Sequence, residues 1–265
     1  MINKILKYDL KSLYKVLIPD YIILIIIAIL TKVFGILKDT TSIFSIPYSM
    51  ILFLFIIALI VAFVHTFFVA IIRFYKNMLR DESYLTHTLP VEKKSLVISK
   101  LISSFITMLT SIVVLISSVL IAFYSKGIVS NLISGLNEFV KLSGVTDLNM
   151  FYTYMIMAIL IGYLSYITVF YLALVLGHSK DSNKMKYSFV YGIIIYVIQQ
   201  MIAVLFIASA YLMSDGFREA FKEDTNASLT TIIPCLFIYM IVQVIVIIVE
   251  NYITISKLKN NLNIE

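Results

Sequence analysis

Six long apolar blocks dominate this chain of 265 residues. A helix that crosses a membrane needs about 20 consecutive, mostly apolar residues. None of the blocks shows the alternation of a membrane β-barrel. Charged residues make up only 14% of the chain, against about 25% in soluble proteins. The sequence therefore predicts an all-α integral membrane protein with six spans, over residues 19–37, 46–74, 96–123, 152–176, 189–213 and 229–253.

The basic residues predict which way the spans run. Fifteen of the 21 lysines and arginines lie before span one, between spans two and three or in the adjoining ends of those two spans, between spans four and five, or after span six. The positive-inside rule then places both termini in the cytoplasm of a multi-pass plasma-membrane protein. The basic residues behind the net charge of +6 therefore set the orientation of the spans and attract anionic lipid headgroups as partners. We do not interpret this charge as a sign of nucleic-acid binding.

The first 17 residues carry apolar side chains on one helical face and lysines on another. This pattern predicts an amphipathic helix over 1–17 that lies along the cytoplasmic headgroups. The same lysines also fit a simple positive flank of span one. Pro19 suits the first turn of a helix and is expected to mark the corner into span one. The apolar positions are Ile2, Ile5, Leu6, Leu10, Leu13 and Leu17, and the basic ones are Lys4, Lys7, Lys11 and Lys15.

Two loops on the predicted outer side are longer than a turn. Residues 125–151 contain a helical apolar stripe, which predicts a short helix resting on the outer leaflet. Residues 214–228 are rich in charge. Both loops fit solvated connectors or, alternatively, an extracellular gate. The chain shows no internal repeat and no linker, so 1–265 is expected to form a single transmembrane domain.

The sequence lacks the motifs of several enzyme classes. There is no glycine-rich phosphate loop, no metalloprotease motif and no nucleophile elbow. The three histidines are far apart in sequence, and Cys235 is the only cysteine. We therefore expect no catalytic residue, no bound metal and no cofactor held by this chain.

A few polar side chains fall inside the apolar spans. Ionisable or amide groups at membrane depth are functional candidates because they are costly to bury there. His65, Gln199, Gln200 and Gln243 are predicted to line a polar path, and Glu250 lies near the end of span six. The alternative is that these groups only hydrogen-bond between helices.

The segment between spans two and three is dense in charge and flanked by the two longest spans, of about 29 and 28 residues. The helix of span two is expected to continue from Arg73 to His87, and Pro90 to turn the chain into the first turn of span three. Tyr84, Leu85 and Leu89 would then form apolar anchors inside a charged rim, a composition typical of protein recognition. A solvated hairpin that only fixes topology is the alternative.

This segment, "DESYLTHTLPVEKKSL", resembles the motif between spans two and three in permease subunits of second-class, exporter-type ABC transporters. Those of bacterial operons often read close to "E-G-Y-L-T-x-T-L-P-V", and Ser83 stands here where that pattern usually has glycine. The six spans, the cytoplasmic termini and the N-terminal helix are also similar to that family. The matching residues are Glu82, Tyr84, Leu85, Thr86, Thr88, Leu89, Pro90 and Val91.

The resemblance implies that residues 79–90 form a coupling helix that docks on a separate ABC ATPase. Two ATPase copies would bind ATP and Mg, and a second permease, identical or related, would complete the path of an amphiphilic substrate such as a peptide antibiotic or a lipid. An ion-coupled secondary transporter, a membrane enzyme, and a sensor or scaffold without transport are the rival interpretations. The residues implied in ATPase contact are Arg80, Asp81, Glu82, Tyr84, Leu85, His87 and Pro90.

Overall fold

The computed structural model describes residues 2–80, 82–88, 90–123, 128–142, 148–219 and 229–260. All regular structure in these ranges is helical, which confirms the all-α prediction. The helices are α1 (Ile2–Thr40), α2 (Ser45–Leu79), α3 (Ser83–Thr88), α4 (Lys93–Phe123), α5 (Ile128–Leu142), α6 (Leu148–His178), α7 (Lys184–Met213), α8 (Asp215–Glu219) and α9 (Leu229–Asn260), with a 3₁₀ turn at Ser42–Phe44.

Six of the described helices are long and apolar enough to cross a membrane: α1, α2, α4, α6, α7 and α9. They include each of the six predicted spans, so the prediction of a six-span membrane protein is confirmed. The chain divides into two compact units, Met1–Val129 and Ser130–Glu265, called here the N-terminal and C-terminal units. The expectation of one domain over 1–265 stays a prediction.

The expected corner at Pro19 is wrong, because α1 runs through this proline as one helix of 39 residues. A proline inside a helix removes one backbone hydrogen bond. Ties to α4 on both sides of it hold the helix together. The Tyr14 hydroxyl donates to Thr110 Oγ1 over 3.2 Å, and the Tyr21 and Ser111 hydroxyls lie 2.5 Å apart. A separate interfacial helix over 1–17 is therefore not confirmed.

The expected helix from Arg73 to His87 is also interrupted. α2 ends at Leu79 and Arg80 leaves helical geometry, after which the short helix α3 begins at Ser83. The turn is closed by hydrogen bonds from the Ser83 amide to the Arg80 carbonyl and from the Glu82 amide to the Lys76 carbonyl. α4 starts at Lys93, after Pro90 and not with it. Within the described non-glycine residues only Asn183 has a positive φ, so Ser83 needs no glycine-like backbone.

The N-terminal unit is built on α1, α2 and α4, with α1 and α4 parallel and α2 antiparallel to both. Its apolar core includes Leu24, Ala28 and Phe55. A row of small hydroxyl residues on α4 is also buried, and such residues let helices approach closely in membranes. At Ser111 the three helices meet, because its Oγ lies 2.9 Å from Thr66 Oγ1 of α2 and also touches Tyr21 of α1. The buried row is Ser99, Ser103, Ser104, Thr107, Ser111 and Ser118.

In the C-terminal unit α6 packs against both α7 and α9. Val169, Leu172 and Ala173 of α6 form a buried cluster with Ile195 of α7. The predicted short helix between spans three and four is present as α5, and its Val140 packs against Ile233 of α9. The placement of α5 on the outer leaflet stays a prediction, as do the roles of the two long loops.

The approach of α6 and α7 is very close at Gly177, which generates a prediction about stability. A Cβ at this position would collide with the backbone and hydroxyl of Ser188. We expect Gly177→Ala to lower the thermal unfolding midpoint of the purified protein in detergent, because the helices must move apart.

Gly192→Ala is the matched control in the same helix pair. Its Cβ would meet only the Ala173 side chain at 3.6 Å, an ordinary contact. Alanine also favours a helix over glycine by about 1 kcal/mol. The midpoint of Gly192→Ala should hold or rise, and equal midpoints for the two variants would contradict the close approach at Gly177.

Candidate functional site

A buried ion pair ties α1 to α4 in the N-terminal unit. Lys100 Nζ donates to Asp9 Oδ1, and the Ser99 hydroxyl donates to Asp9 Oδ2 over 3.4 Å. Asp9 is 3% exposed and Lys100 is 2% exposed. A charge at that depth is retained only when it is paired, because desolvating a lone ion is costly. The pair thus holds the beginning of α1 against the beginning of α4.

Arg73 of α2 extends this ion pair towards α3. Its Nε lies 3.9 Å from Asp9 Oδ1, and its Nη1 donates to Glu82 Oε1 over 3.0 Å. Asn77, one helical turn further on, donates to Glu82 Oε2 over 2.7 Å. Both oxygens of Glu82 are therefore held by the last turns of α2. Two acids and two bases, here called the charge cluster, join α1, α2, α4 and the start of α3 with no formal net charge: Asp9, Arg73, Glu82 and Lys100.

Glu82 lies outside the six membrane-crossing candidates, between α2 and α4. Partial burial by itself would raise the pKa of its carboxyl. The hydrogen bond from Asn77 and the nearby Arg73 guanidinium, with a smaller contribution from Lys100, outweigh that effect. The pKa of Glu82 is consequently below its usual value near 4.5, and the anion is the form that the site favours.

The short helix α3 has an inner and an outer face. Ser83 and Thr86 are buried, and Thr86 Oγ1 donates to the Glu82 carbonyl over 2.9 Å. Tyr84 is 72% exposed and Leu85 is 68% exposed. A tyrosine and a leucine are thus presented outward on a helix whose inner face is fixed. We call Tyr84 and Leu85 the apolar knob.

The remaining residues implied in partner contact are less fully placed. Arg80 and Pro90 are exposed near α3. Asp81 lies outside the described residues, as does the side chain of His87. The Glu82 carboxylate accepts hydrogen bonds from Arg73 and Asn77, and its contact with an ATPase stays a prediction.

Sequence reasoning counted Lys100 only as a topology signal and did not single out Asp9. A signal was present. Asp9 falls four residues after Ile5 and four before Leu13, on the apolar face of its helix. A carboxylate in that stripe must face a partner, and a basic residue near the start of another helix is a natural candidate. The partner's identity follows only from the fold, since 91 residues separate the two.

The four residues of the predicted polar path are divided between the two units, and the path itself stays a prediction. Gln199, Gln200 and Gln243 line one cavity of about 180 Å³ in the C-terminal unit. His65 belongs to the N-terminal unit, where its Nδ1 lies 2.5 Å from Asp20 Oδ2 of α1. The histidine therefore has a nearby acidic partner of its own within the N-terminal unit.

Glu250 of α9 organises the polar side chains beside this cavity. It is 5% exposed. Its Oε2 accepts from Thr168 over 2.6 Å and its Oε1 from Gln199 Nε2 over 2.8 Å. Gln199 also donates to Ser165 Oγ, which in turn donates to Gln243 Oε1. Helices α6, α7 and α9 are thus joined by one chain of hydrogen bonds inside apolar surroundings.

Within the described ranges, no three histidine, cysteine, aspartate or glutamate side chains are grouped to hold a metal ion. Comparison of the chain with family models, with curated proteins and with solved structures finds no match in any of the three. Its function is therefore argued from the charge cluster, the apolar knob and the polar cavity.

The buried ion pair predicts a large effect of neutralising Asp9. Asp9→Asn leaves Lys100 as a buried cation without its counter-ion, a change that typically costs about 3–5 kcal/mol. We expect a clear drop in the thermal unfolding midpoint in detergent. Asp39→Asn, which alters an exposed acid of the same helix, should leave the midpoint near wild type.

The double variant Asp9→Leu with Lys100→Met separates loss of a charge pair from loss of packing. Apolar replacement of both members of a buried pair is often neutral. The double variant should thus unfold at a higher temperature than Asp9→Asn. A double variant that is less stable than Asp9→Asn would contradict an unpaired Lys100 as the cause.

The lowered pKa of Glu82 predicts a pH dependence. Its pKa is lower in the folded than in the unfolded protein, so the unfolded state takes up its proton first as the pH falls. The stabilisation is full above about pH 4.5 and is lost as the pH falls through the folded pKa. Between about pH 6 and pH 3.5 the wild-type midpoint should fall more steeply than that of Glu82→Gln. Glu92→Gln, at an exposed acid of the same segment, should parallel wild type; parallel curves for all three would contradict the prediction.

Proposed function

We propose that this membrane-spanning helical protein is the permease subunit of an ATP-binding-cassette exporter, driven by a separate ATPase that binds ATP and Mg. In this proposal α3 is the coupling helix and lies in the cytoplasm with both termini. Two ATPase copies act on two permeases, the second being a copy of this chain or a related one, and they move an amphiphilic substrate through the plasma membrane. The chain itself performs no catalysis.

The observation that carries the proposal is an exposed apolar pair on a rigidly held short helix. A connector that only fixes topology has no need for Tyr84 and Leu85 to be exposed while Ser83 and Thr86 are buried. Aromatic and aliphatic anchors inside a charged rim are typical of protein-binding surfaces. Arg80 is exposed close to the knob in sequence and supplies part of that charged rim, and Pro90 is exposed as well.

The charge cluster gives this surface a mechanical connection to the spans. A partner that pushes on the knob displaces α3, and Glu82 passes that displacement to Arg73 and Asn77 of α2. Asp9 and Lys100 extend the same set of contacts to α1 and α4. Because Asp9 and Lys100 are buried and each depends on its counter-ion, the three helices respond together and not one at a time. Force delivered to one short helix is thereby shared among three spans.

Two rival functions make different demands on the same chain. An ion-coupled secondary transporter needs no ATPase, and its transport stops when ion gradients are collapsed and continues when ATP is depleted. A sensor or scaffold binds a partner but moves no substrate. The apolar knob favours a protein partner over the first rival, and the membrane-spanning helices that the charge cluster joins to the knob favour transport over the second.

The decisive experiment is affinity purification of the tagged protein from its own cells in a mild detergent. We expect an ATPase chain to co-purify in stoichiometric amount, and the double variant Tyr84→Ala with Leu85→Ala to lose it, because the anchors are removed while the inner face of α3 is untouched. The readout is the ratio of ATPase to permease on a stained gel, with the thermal midpoint showing that the variant is folded.

Tyr8→Ala is the matched control, since Tyr8 is 70% exposed and belongs to α1 and not to the apolar knob. It should retain the ATPase. A protein that purifies alone with full transport activity would reject the proposal. Labelling of a Tyr84→Cys variant in which Cys235 is also replaced by serine, by a membrane-impermeant maleimide added outside intact cells, would do so as well, because the knob would then carry the only cysteine and would lie on the wrong side.

A further inference from the structure

The polar cavity of the C-terminal unit has more hydrogen-bonding capacity than helix packing alone requires. It is lined by amides, tyrosines and a serine from α6, α7 and α9. Polar groups at membrane depth are usually satisfied by one another. Here part of their capacity remains open to the cavity, and the direction of the hydrogen bonds shows which part.

Glu250 determines the donor-to-acceptor direction of these hydrogen bonds. The carboxylate accepts hydrogen bonds, so the neighbouring Gln199 turns its Nε2 group towards it. The second hydrogen of that group goes to Ser165 Oγ. Both donors of the Gln199 amide are then used, and its Oε1 remains as an acceptor on a side chain that lines the cavity. Glu250 thus acts as a positioning residue for Gln199.

The chain of hydrogen bonds continues from Ser165 through Gln243 to Tyr239. Ser165 donates to Gln243 Oε1, so Gln243 presents its Nε2 group, which donates to the Tyr239 hydroxyl oxygen. Within the part of the chain that the structure describes, the Tyr239 hydroxyl meets no acceptor of its own. The chain of hydrogen bonds therefore leaves one acceptor, at Gln199, and one donor, at Tyr239, on the wall of the same cavity.

We propose that this cavity binds a secondary or primary amide of a peptide-like ligand, with Tyr239 donating to the amide carbonyl and Gln199 accepting from the amide N–H. An amide carries one strong donor side and one strong acceptor side, which matches the two open groups. Gln200 adds a second amide to the wall. The assignment of this cavity as the substrate site of an exporter rests on the proposed function. It restricts the amphiphilic substrate to compounds with amide groups.

The size of the cavity agrees with a single residue of such a ligand. A site that encloses a whole drug-sized molecule spans roughly 300–1,000 Å³, whereas this one is about 180 Å³. Tyr154 and Tyr166 supply aromatic surface beside the polar groups. One amide with its neighbouring side chain fits that combination, and the rest of a longer ligand would extend beyond the cavity.

The probe for the test is N-acetyl-tryptophanamide, with 3-methylindole as the matched compound that has the same ring and no amide. The protein contains no tryptophan, so indole emission reports the probe alone, and the cavity tyrosines Tyr154, Tyr166 and Tyr239 serve as energy donors. We expect saturable binding of N-acetyl-tryptophanamide to the purified protein in detergent, about fivefold or more tighter than 3-methylindole, since each neutral hydrogen bond contributes roughly two- to tenfold.

Three variants locate the binding. Tyr239→Phe should weaken N-acetyl-tryptophanamide by roughly two- to tenfold and leave 3-methylindole unchanged, whereas Tyr196→Phe, at an exposed tyrosine of α7, should change neither. Glu250→Gln should lower the ratio of the two affinities, because a second amide no longer fixes Gln199; a purely structural role would not alter that ratio. Gly162→Leu adds a bulky side chain to the cavity wall at a position where the Cβ meets no atom within 4 Å, and should abolish both affinities.

Equal affinity of the wild-type protein for the two compounds overturns the amide site, whatever the variants do. Retained preference for N-acetyl-tryptophanamide in Gly162→Leu overturns its location. These results are independent of the ATPase. An amide preference without a co-purifying ATPase rejects the exporter and keeps the site, and a co-purifying ATPase without an amide preference rejects the site and keeps the exporter.

Discussion

In surroundings of low dielectric constant, a buried charge is stable only beside a counter-ion. In the N-terminal unit, Asp9 and Lys100 are counter-ions to each other. Asp9 is 3% exposed and Lys100 is 2% exposed. Each would be strongly unfavourable alone. Together they force the beginnings of α1 and α4 to lie side by side, and Arg73 and Glu82 then add α2 and α3 to the same group. The position of the apolar knob follows from this arrangement.

In the C-terminal unit, neutral hydrogen-bond donors stabilise the buried carboxyl group of Glu250. Among the described residues, the donors to Glu250 are a hydroxyl and an amide and not a basic side chain. Hydrogen bonds of this kind give less attraction than an ion pair but fix the orientation of each amide. The N-terminal unit thus uses electrostatics to fasten helices, and the C-terminal unit uses directed hydrogen bonds to shape a cavity. In the proposed function, the first device serves the element that receives force from the ATPase, and the second serves the cavity proposed to bind the ligand.

Span number and helix type were predictable from the sequence because bilayer thickness imposes a minimum apolar length. Helix ends were not, since Asp9, Arg73 and Lys100 look like span-ending charges until their partners are known. The same limit applied to the candidate sites. Gln199 and Gln243 stood out as amides in apolar spans, and both line the cavity. His65 stood out equally, yet it pairs with Asp20 in the other unit, which no periodicity or spacing shows.

Pro19 leaves the Lys15 carbonyl of α1 without its usual amide donor, because proline has no N–H. This break in the hydrogen-bond ladder falls between two fastened stretches, with the Asp9 pair on one side and the Tyr21 tie on the other. α1 is about 58 Å long at 1.5 Å per residue. The 17 residues of α1 before Pro19 include Asp9, so the missing backbone hydrogen bond separates the part of α1 that belongs to the charge cluster from the remainder of the helix.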